Sequence, residues 1–172
     1  LTCIEDSAFY ASSISRITLP ESLVNIGNGA FANSDLLKEV SFGSNVKEIG
    51  EWAFRGCPLS SVVLPDALET IGDYAFIYIP TLEDVTFGKS LKKIGQSAFS
   101  GTSISQLTFP DALKDICAGA FSNNVSLESV DFGKSNVVTI GDRAFSGCTG
   151  LTSVTIPSSM TTIGSYAFIF CI

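Results

Sequence analysis

An internal repeat is the feature that most constrains the fold of this chain. The dipeptide Ala-Phe occurs eight times in 172 residues, and successive copies are 22 to 24 residues apart. An isoleucine lies five residues before each phenylalanine, and glycine follows that isoleucine in six copies. Repeats of this length are typical of solenoids, in which each unit buries its apolar side chains against the next. The pairs are Ile4/Phe9, Ile26/Phe31, Ile49/Phe54, Ile71/Phe76, Ile94/Phe99, Ile116/Phe121, Ile140/Phe145 and Ile163/Phe168.

A second segment lies between these blocks and alternates apolar with polar residues. Its copies are ISRITLP, LKEVSFG, LSSVVLP, LEDVTFG, ISQLTFP, LESVDFG and LTSVTIP. Alternation that stops at proline or glycine predicts a short strand. The final residue itself alternates through Pro20, Gly43, Pro65, Gly88, Pro110, Gly133 and Pro157. This alternation indicates a double unit of about 45 residues, two copies of the solenoid repeat.

The repeat predicts one domain over residues 1–172, with about eight stacked units of 22–24 residues. Strands of successive units are expected to pair in parallel, about 4.8 Å apart. Each G-x-x-A-F segment is too short for a stable isolated helix, so we expect a single helical or 3₁₀ turn there. The residues expected to point inward in one unit are Leu37, Val40, Phe42, Val46, Ile49, Ala53 and Phe54.

The unit L-x-x-V-x-[LFI]-[PG]-x-x-L-x-x-I-G-x-x-A-F-x-x-C resembles the Treponema-type leucine-rich repeat of BspA-like surface proteins. The resemblance covers residues 1–172. The chain departs from the family pattern at three points. Cys117 replaces the glycine, one residue is added between Gly133 and Val137, and only three copies carry the family's cysteine.

This resemblance implies a β-rich α/β fold: a right-handed leucine-rich-repeat solenoid with a parallel sheet on its concave face and short helical turns on its convex face. It also implies a secreted or surface-attached protein of bacteria or protist parasites, associated with adhesion to host matrix proteins or to other cells. The family is not enzymatic, and its motif fixes no ligand-binding residue.

The composition narrows the possible functions. Ten basic and seventeen acidic residues give a net charge of −7, which disfavours nucleic acid as a partner. The chain has no histidine, the commonest general base and metal ligand. No apolar run approaches the roughly 18 residues of a membrane-spanning helix. We therefore expect no enzyme activity, cofactor, metal site or membrane span.

Three of the five cysteines share one slot of the repeat. Cys57, Cys148 and Cys171 follow the Ala-Phe phenylalanine by three residues, and this slot otherwise holds Ser12, Ser34, Ile79, Thr102 and Asn124. A slot that accepts such residues predicts small, partly buried side chains rather than reactive thiols. Cys148 and Cys171 lie in adjacent units at disulfide distance, but parallel stacking directs both side chains alike, so a bridge is disfavoured yet left open. Use of the sequon at Asn124 is also left open.

The outward positions of the predicted strands form a candidate concave binding face. Such extended faces commonly bind partners in solenoids, although serine and threonine also simply suit exposed strand positions. The fourteen residues are Arg16, Thr18, Glu39, Ser41, Ser61, Val63, Asp84, Thr86, Gln106, Thr108, Ser129, Asp131, Ser153 and Thr155.

A candidate aromatic patch lies on the opposite, turn side. Trp52 and Tyr74 occupy the same slot in neighbouring units, and the patch also includes Arg55, Ile77 and Tyr78. Exposed aromatic residues next to arginine are typical of interaction hot spots. The alternative is that these rings pack flat over the turns.

Two functions are consistent with the repeat. The first is a non-catalytic interaction or adhesion module, extracellular or at the cell surface, that holds a protein or a glycan. The alternative is a structural spacer that presents another domain. Neither end shows a polar capping unit, and Ile169, Phe170 and Ile172 are predicted to be unshielded. We therefore expect that the natural protein continues, or that its ends pack against another chain, which permits end-to-end self-association.

Overall fold

The computed structural model of the chain describes residues 1–171 and shows a solenoid built from short parallel strands. The fourteen strands are β1 Cys3–Ile4, β2 Arg16–Thr18, β3 Asn25–Ile26, β4 Glu39–Ser41, β5 Glu48–Ile49, β6 Ser61–Val63, β7 Thr70–Ile71, β8 Asp84–Thr86, β9 Lys93–Ile94, β10 Gln106–Thr108, β11 Asp115–Ile116, β12 Ser129–Asp131, β13 Thr139–Ile140 and β14 Thr162–Ile163.

One continuous sheet joins all the repeats. Its eight strands, in the order β1-β3-β5-β7-β9-β11-β13-β14, have two residues each and end at the repeated isoleucine. Each isoleucine pairs with the next, for example Ile49 with Ile71. A Cβ atom on Gly95, which follows the isoleucine, would lie 2.6 Å from the backbone nitrogen of Asp73. The Ile-Gly pair therefore permits close parallel stacking through about seven turns.

Six of the seven predicted strand segments form strands, but they do not form the continuous sheet. They pair only two by two, as β2 with β4, β6 with β8 and β10 with β12. Among the described residues, no backbone hydrogen bond joins β4 to β6 or β8 to β10, and residues 153–155 are not a strand. The expectation of uninterrupted pairing at these segments was wrong.

The alternating proline marks the junctions where the pairing stops. The Leu64 N–H donates to Thr86 O, forward to the next strand, at 2.9 Å. Because neighbouring residues of a strand point their N–H groups to opposite sides, the next residue, Pro65, occupies a position that would donate back toward β4. Proline has no N–H to donate there. The equivalent glycines of the paired junctions, Gly43 and Gly88, make no such backbone bond either, so the proline accompanies the gap without accounting for it alone. Gly43 instead lies so close to the preceding strand that a Cβ atom would be 2.3 Å from Pro20 O.

The helical turns expected after each isoleucine are absent, since residues 1–171 contain no helix of any length. We call these segments turn blocks 1 to 8; each runs from the isoleucine to three residues after the phenylalanine. Each block is a series of turns whose backbone N–H groups alternate between two kinds of acceptor. Some donate within the block, as Tyr10 N does to Ser7 O at 3.0 Å, and others donate to the next block, as Phe9 N does to Ala30 O at 2.7 Å. Left-handed backbone at the residue before Ala-Phe, with φ of 55° at Trp52, interrupts any right-handed helix.

A stack of phenylalanine rings runs along the centre of the molecule. The eight Ala-Phe rings lie 5.0 to 5.5 Å apart, with interplanar angles of 1° to 11°. The six inner rings are fully buried, and each contributes about 1.5–3 kcal/mol of hydrophobic free energy. Of the residues predicted to point inward, Val40 and Phe42 are partly buried and the others are buried. This core is therefore confirmed.

The last block is more open than the inner ones. Ile163 is 47% exposed, whereas the equivalent isoleucines of blocks 2 to 7 are at most 2% exposed. Phe170 is 68% exposed and Ile169 is half-buried. Ile172, which is also predicted to be unshielded, lies outside the described residues.

Candidate functional site

The strand face comprises the fourteen candidate residues of the predicted concave face. All fourteen are exposed, and twelve of them belong to the paired strands β2 to β12. Ser153 and Thr155 are exposed but lie outside any strand. The face has few charges; Arg16, Glu39 and Asp84 point to solvent from the first row. It therefore offers mostly hydroxyl groups, with scattered carboxylates, to a partner.

Three clefts open on this face where the strand pairing stops. The first, of about 550 Å³, lies between β4 and β6 and is lined by Glu39, Ser41 and Ser61. The second, of about 450 Å³, lies between β8 and β10, and the third, of about 280 Å³, lies between β12 and residues 155–157. Missing ladder bonds and open space therefore occur together, once in every double unit.

The three clefts have a common composition. Each is lined by a carboxylate, by at least one hydroxyl and by the ring of the phenylalanine that ends the strand. The carboxylates are Glu39, Asp84 and Asp131, and the rings are Phe42, Phe87 with Phe109, and Phe132. A partly apolar floor with a few polar groups at its rim is the usual composition of a binding site.

The structure divides the predicted aromatic patch on the turn side. Trp52 is 44% exposed and its ring centroid lies 5.9 Å from that of Tyr74. Arg55 and Tyr78 are also exposed. Ile77 is only 7% exposed and belongs to the core, because burial of its apolar side chain is favourable. Its inclusion in the exposed patch was wrong.

A groove of about 380 Å³ beside Trp52 was missed at the sequence level. Its aromatic walls are Tyr10 and Trp52, and its small floor residues are Gly29 and Ala32. The polar lining residues are Asp6, Ser7, Asn28 and Arg55. Aligning the slot after Ala-Phe, where Tyr10 is equivalent to Arg55 and Ile77, would have found Tyr10 as a second exposed aromatic residue.

The three cysteines of the shared slot have a structural role. Cys57 and Cys148 are fully buried, and their thiols donate to Phe31 O at 3.0 Å and to Phe121 O at 3.2 Å. Burial raises the pKa of both thiols to about 12, so both are protonated at neutral pH. Cys171 donates to Phe145 O at 3.2 Å, and both Cys148 and Cys171 are free thiols. Both point to the preceding repeat, as parallel stacking predicts.

The sequon asparagine lies inside the solenoid. Asn124 is fully buried, and its Oδ1 accepts hydrogen bonds from Thr102 N at 2.8 Å and from Thr102 Oγ1 at 3.0 Å. Its Nδ2 is buried without a partner. A glycan on this nitrogen is incompatible with the folded repeat.

Two other kinds of site are not found in the part of the chain that the structure describes. No helix there is long and apolar enough to cross a membrane. Nor do three or more histidine, cysteine, aspartate or glutamate side chains within residues 1–171 come together as a metal site would require.

Comparison with known proteins identifies the repeat. The model of the BspA type leucine rich repeat region matches residues 2–128 and 114–172, with six copies. The structure is similar to that of the leucine rich repeat protein of T. pallidum, with a TM-score of 0.82 and 26% identity over 89% of this chain and 72% of that one. No curated protein sequence gives a significant match.

Two further solved structures share the architecture. A leucine-rich repeat protein from Bacteroides ovatus is 26% identical, with a TM-score of 0.62 over 100% of this chain and 62% of that one. Another, from Eubacterium ventriosum, is 23% identical and supports the fold alone, with a TM-score of 0.77 over 93% of this chain and 44% of that one. The chain thus spans less than two thirds of these two proteins. From its repeat and its parallel solenoid, the chain belongs to the family of BspA-type leucine-rich repeat proteins.

Proposed function

We propose that the chain is a non-catalytic binding module of a secreted or cell-surface protein, and that its strand face holds a protein partner. The observation that carries this proposal is the interruption of the strand ladder, which leaves a cleft between β4 and β6 and another between β8 and β10. A solenoid whose role is only to extend would gain stability from pairing these strands. The open junctions instead expose backbone groups to a partner.

The chemistry of the face favours a large, polar partner surface. Its hydroxyls, among them Ser41, Ser61 and Thr108, donate and accept hydrogen bonds without a fixed charge preference. Each cleft has one carboxylate, from Glu39, Asp84 or Asp131, and a lysine also lines each of the first two. The chain as a whole carries a net charge of −7. A partner with basic side chains spaced along its surface, such as a matrix or host-cell glycoprotein, fits this arrangement, and adhesion is the role we propose.

The test is a binding assay with purified matrix glycoproteins captured on a surface. The triple variant Ser41→Lys, Thr86→Lys and Thr108→Lys changes only exposed side chains, so the solenoid is expected to stay folded. We expect the triple variant to lose at least tenfold in affinity, since it places three cations in the clefts. Thr149→Lys, at an exposed position outside the strand face, is the matched control and should bind normally. Equal binding by the triple variant would refute the strand face as the site.

A structural spacer remains the second candidate, and the turn side favours it. The eight-stranded sheet and the uninterrupted phenylalanine stack couple every repeat to its neighbours, which makes the solenoid stiff. A fragment that binds no protein or glycan, while the longer parent protein binds through another region, would support the spacer over the binding module.

A further inference from the structure

We infer that the groove between Tyr10 and Trp52 on the turn side is a binding site for one neutral pyranose ring, such as the terminal sugar of a glycan. This goes beyond the strand-face function and does not depend on it. The groove lies on turn blocks 1 to 3, and its lining residues do not belong to any strand. We infer the class of ligand from three properties of the groove: its size, the side chains that hold its aromatic walls in place, and the polar residues that line it.

The groove exists because block 2 lacks two side chains. Gly29 stands where block 1 has Ser7 and block 3 has Trp52, and Ala32 stands where they have Tyr10 and Arg55. The open space between Tyr10 and Trp52, above these two small residues, has a volume of about 380 Å³. This volume is at the lower end of the range of small-ligand pockets and admits one saturated ring.

Both walls are held in place by side chains from neighbouring repeats. The Asn33 amide donates to the Tyr10 hydroxyl oxygen at 2.9 Å. On the other side, Trp52 packs against Tyr74, whose hydroxyl oxygen accepts from the Gln96 amide at 2.6 Å. Exposed aromatic rings that are supported in this way lose little conformational freedom when a ligand binds.

The polar lining matches a neutral ligand rich in hydroxyls. It contains one carboxylate, Asp6, and one guanidinium, Arg55, so it selects neither a cation nor an anion. Within residues 1–171, no salt bridge or side-chain hydrogen bond engages Arg55 or the Ser7 hydroxyl, which leaves these donors for a ligand. The electron-rich face of an aromatic ring attracts the polarised C–H groups on the flat face of a sugar.

The same gap recurs in block 6 without its walls. There Gly119 and Ser122 are equivalent to Gly29 and Ala32, but the flanking residues are Ser100 and Arg143 in place of Tyr10 and Trp52. The chain therefore has the same gap in two blocks, and only the gap in block 2 lies between aromatic rings. The gap in block 6 serves as a control within the same chain. The aromatic residues are therefore not required for stacking the repeats.

The test uses the fluorescence of Trp52, the only tryptophan of the chain. The protein is titrated with methyl glycosides of glucose, galactose, mannose, fucose and the two N-acetylhexosamines, and with choline chloride as a cationic probe; a printed array of neutral oligosaccharides extends the sugar set. We expect a saturable change with at least one neutral sugar and a Kd in the range of about 0.1–10 mM for a single ring.

Two variants locate the site. Ala32→Tyr fills the groove with the residue that the chain itself has at this slot in block 1, and it should abolish the response, whereas Ser122→Tyr, its equivalent in block 6, should not. Tyr10→Ala should weaken binding at least tenfold, whereas Tyr78→Ala, an exposed tyrosine that does not line the groove, should not. Circular dichroism checks that each variant is folded.

The inference is overturned if no neutral sugar gives a saturable response, if only choline does, or if Ala32→Tyr binds as well as the parent chain. Failure of the strand-face proposal is a separate result. The lysine variant of the strand face should bind sugar normally, and loss of matrix binding in that variant leaves the groove untouched.

Discussion

The two long sides of this solenoid stack their repeats in different ways. On the turn side, all eight blocks are joined by one sheet and one ring stack. On the strand side, pairing proceeds two repeats at a time and then stops. The residues that are the same in every repeat build the first side, and the alternation between proline and glycine accompanies the paired and unpaired junctions of the second. The same repeat thus forms a continuous sheet on the turn side and separate pairs of strands on the strand side.

The largest effect is expected from breaking the continuous side. Phe76→Ala removes a fully buried ring that stacks at 5.1 Å on Phe54 and at 5.0 Å on Phe99. We expect a loss of about 3–5 kcal/mol in the free energy of unfolding. Phe87→Ala, on the strand side, removes a ring that is only half-buried and should cost about half as much. Urea denaturation measures both, and equal losses would contradict the comparison.

The glycine after the isoleucine should be the next most sensitive position. In Gly95→Ala, the added methyl group lies 2.6 Å from the backbone nitrogen of Asp73, which cannot move without separating two blocks. Overpacking of this kind costs about 1–3 kcal/mol. Cys117→Ala is the control, because this slot of block 6 already holds a side chain. A fully stable Gly95→Ala variant would show that the blocks are not in close contact.

Alkaline pH tests whether the turn side is closed to water. Burial raises the pKa of Cys57 and Cys148 from 9.0 to about 12, so the native thiols keep their protons at a pH where the unfolded ones ionise. The stabilisation is fully present below pH 9 and is lost as the pH rises toward 12, at about 1.4 kcal/mol per pH unit for each thiol. Thermal unfolding against pH measures this slope.

The control for this measurement is the double variant Cys57→Ser and Cys148→Ser. Serine already occupies the same slot at Ser34, so the variant is expected to fold. Its stability should fall less steeply between pH 9 and 12, since tyrosine and lysine titration is common to both proteins. Identical slopes would show that the two thiols are accessible to water.

The smallest effect on stability is expected where the strand side is already open. Pro65→Ala adds an N–H that points toward β4, but the N–H of Val63 points the same way and has no backbone partner there, so no new ladder bond is expected. The greater freedom of the unfolded chain costs about 0.4–1 kcal/mol. We therefore expect a loss of that size in the free energy of unfolding, measured by urea denaturation, together with fast amide exchange at residue 65. Pro20→Ala, which precedes any such junction, should behave alike, and a protected amide at residue 65 would contradict this expectation.

The sequence predicted the repeated side well, because identical residues must have identical surroundings in a stack. The isoleucine, alanine and phenylalanine positions were placed correctly from spacing alone. The double unit was also visible in the order of Pro20, Gly43 and Pro65. What the sequence did not show is that the strand segments pair only two by two, since all of them carry the same alternation of apolar and polar residues.

The turn blocks were predicted as helical because their length and spacing fit one helical turn. The left-handed conformation at Trp52 and Tyr74 is not favoured by these residue types, and only the glycines at the same slot, Gly29 and Gly119, indicated it. It is imposed by stacking, through the hydrogen bond from each block to the next. The groove at Tyr10 is formed by the residues before and after Ala-Phe in blocks 1, 2 and 3. It can be recognised in the sequence only when both of these positions are compared across the repeats.

Native-state amide hydrogen exchange, followed by NMR, tests the contrast between the two sides most directly. We expect strong protection on the turn side in every inner block, as at Phe54 N and Phe76 N, which donate to the next block at 2.8 Å and 2.7 Å. On the strand side we expect protection at Leu64, which donates forward, and fast exchange at Val63, whose N–H points toward the unpaired β4. Equal protection of Leu64 and Val63 would contradict this contrast.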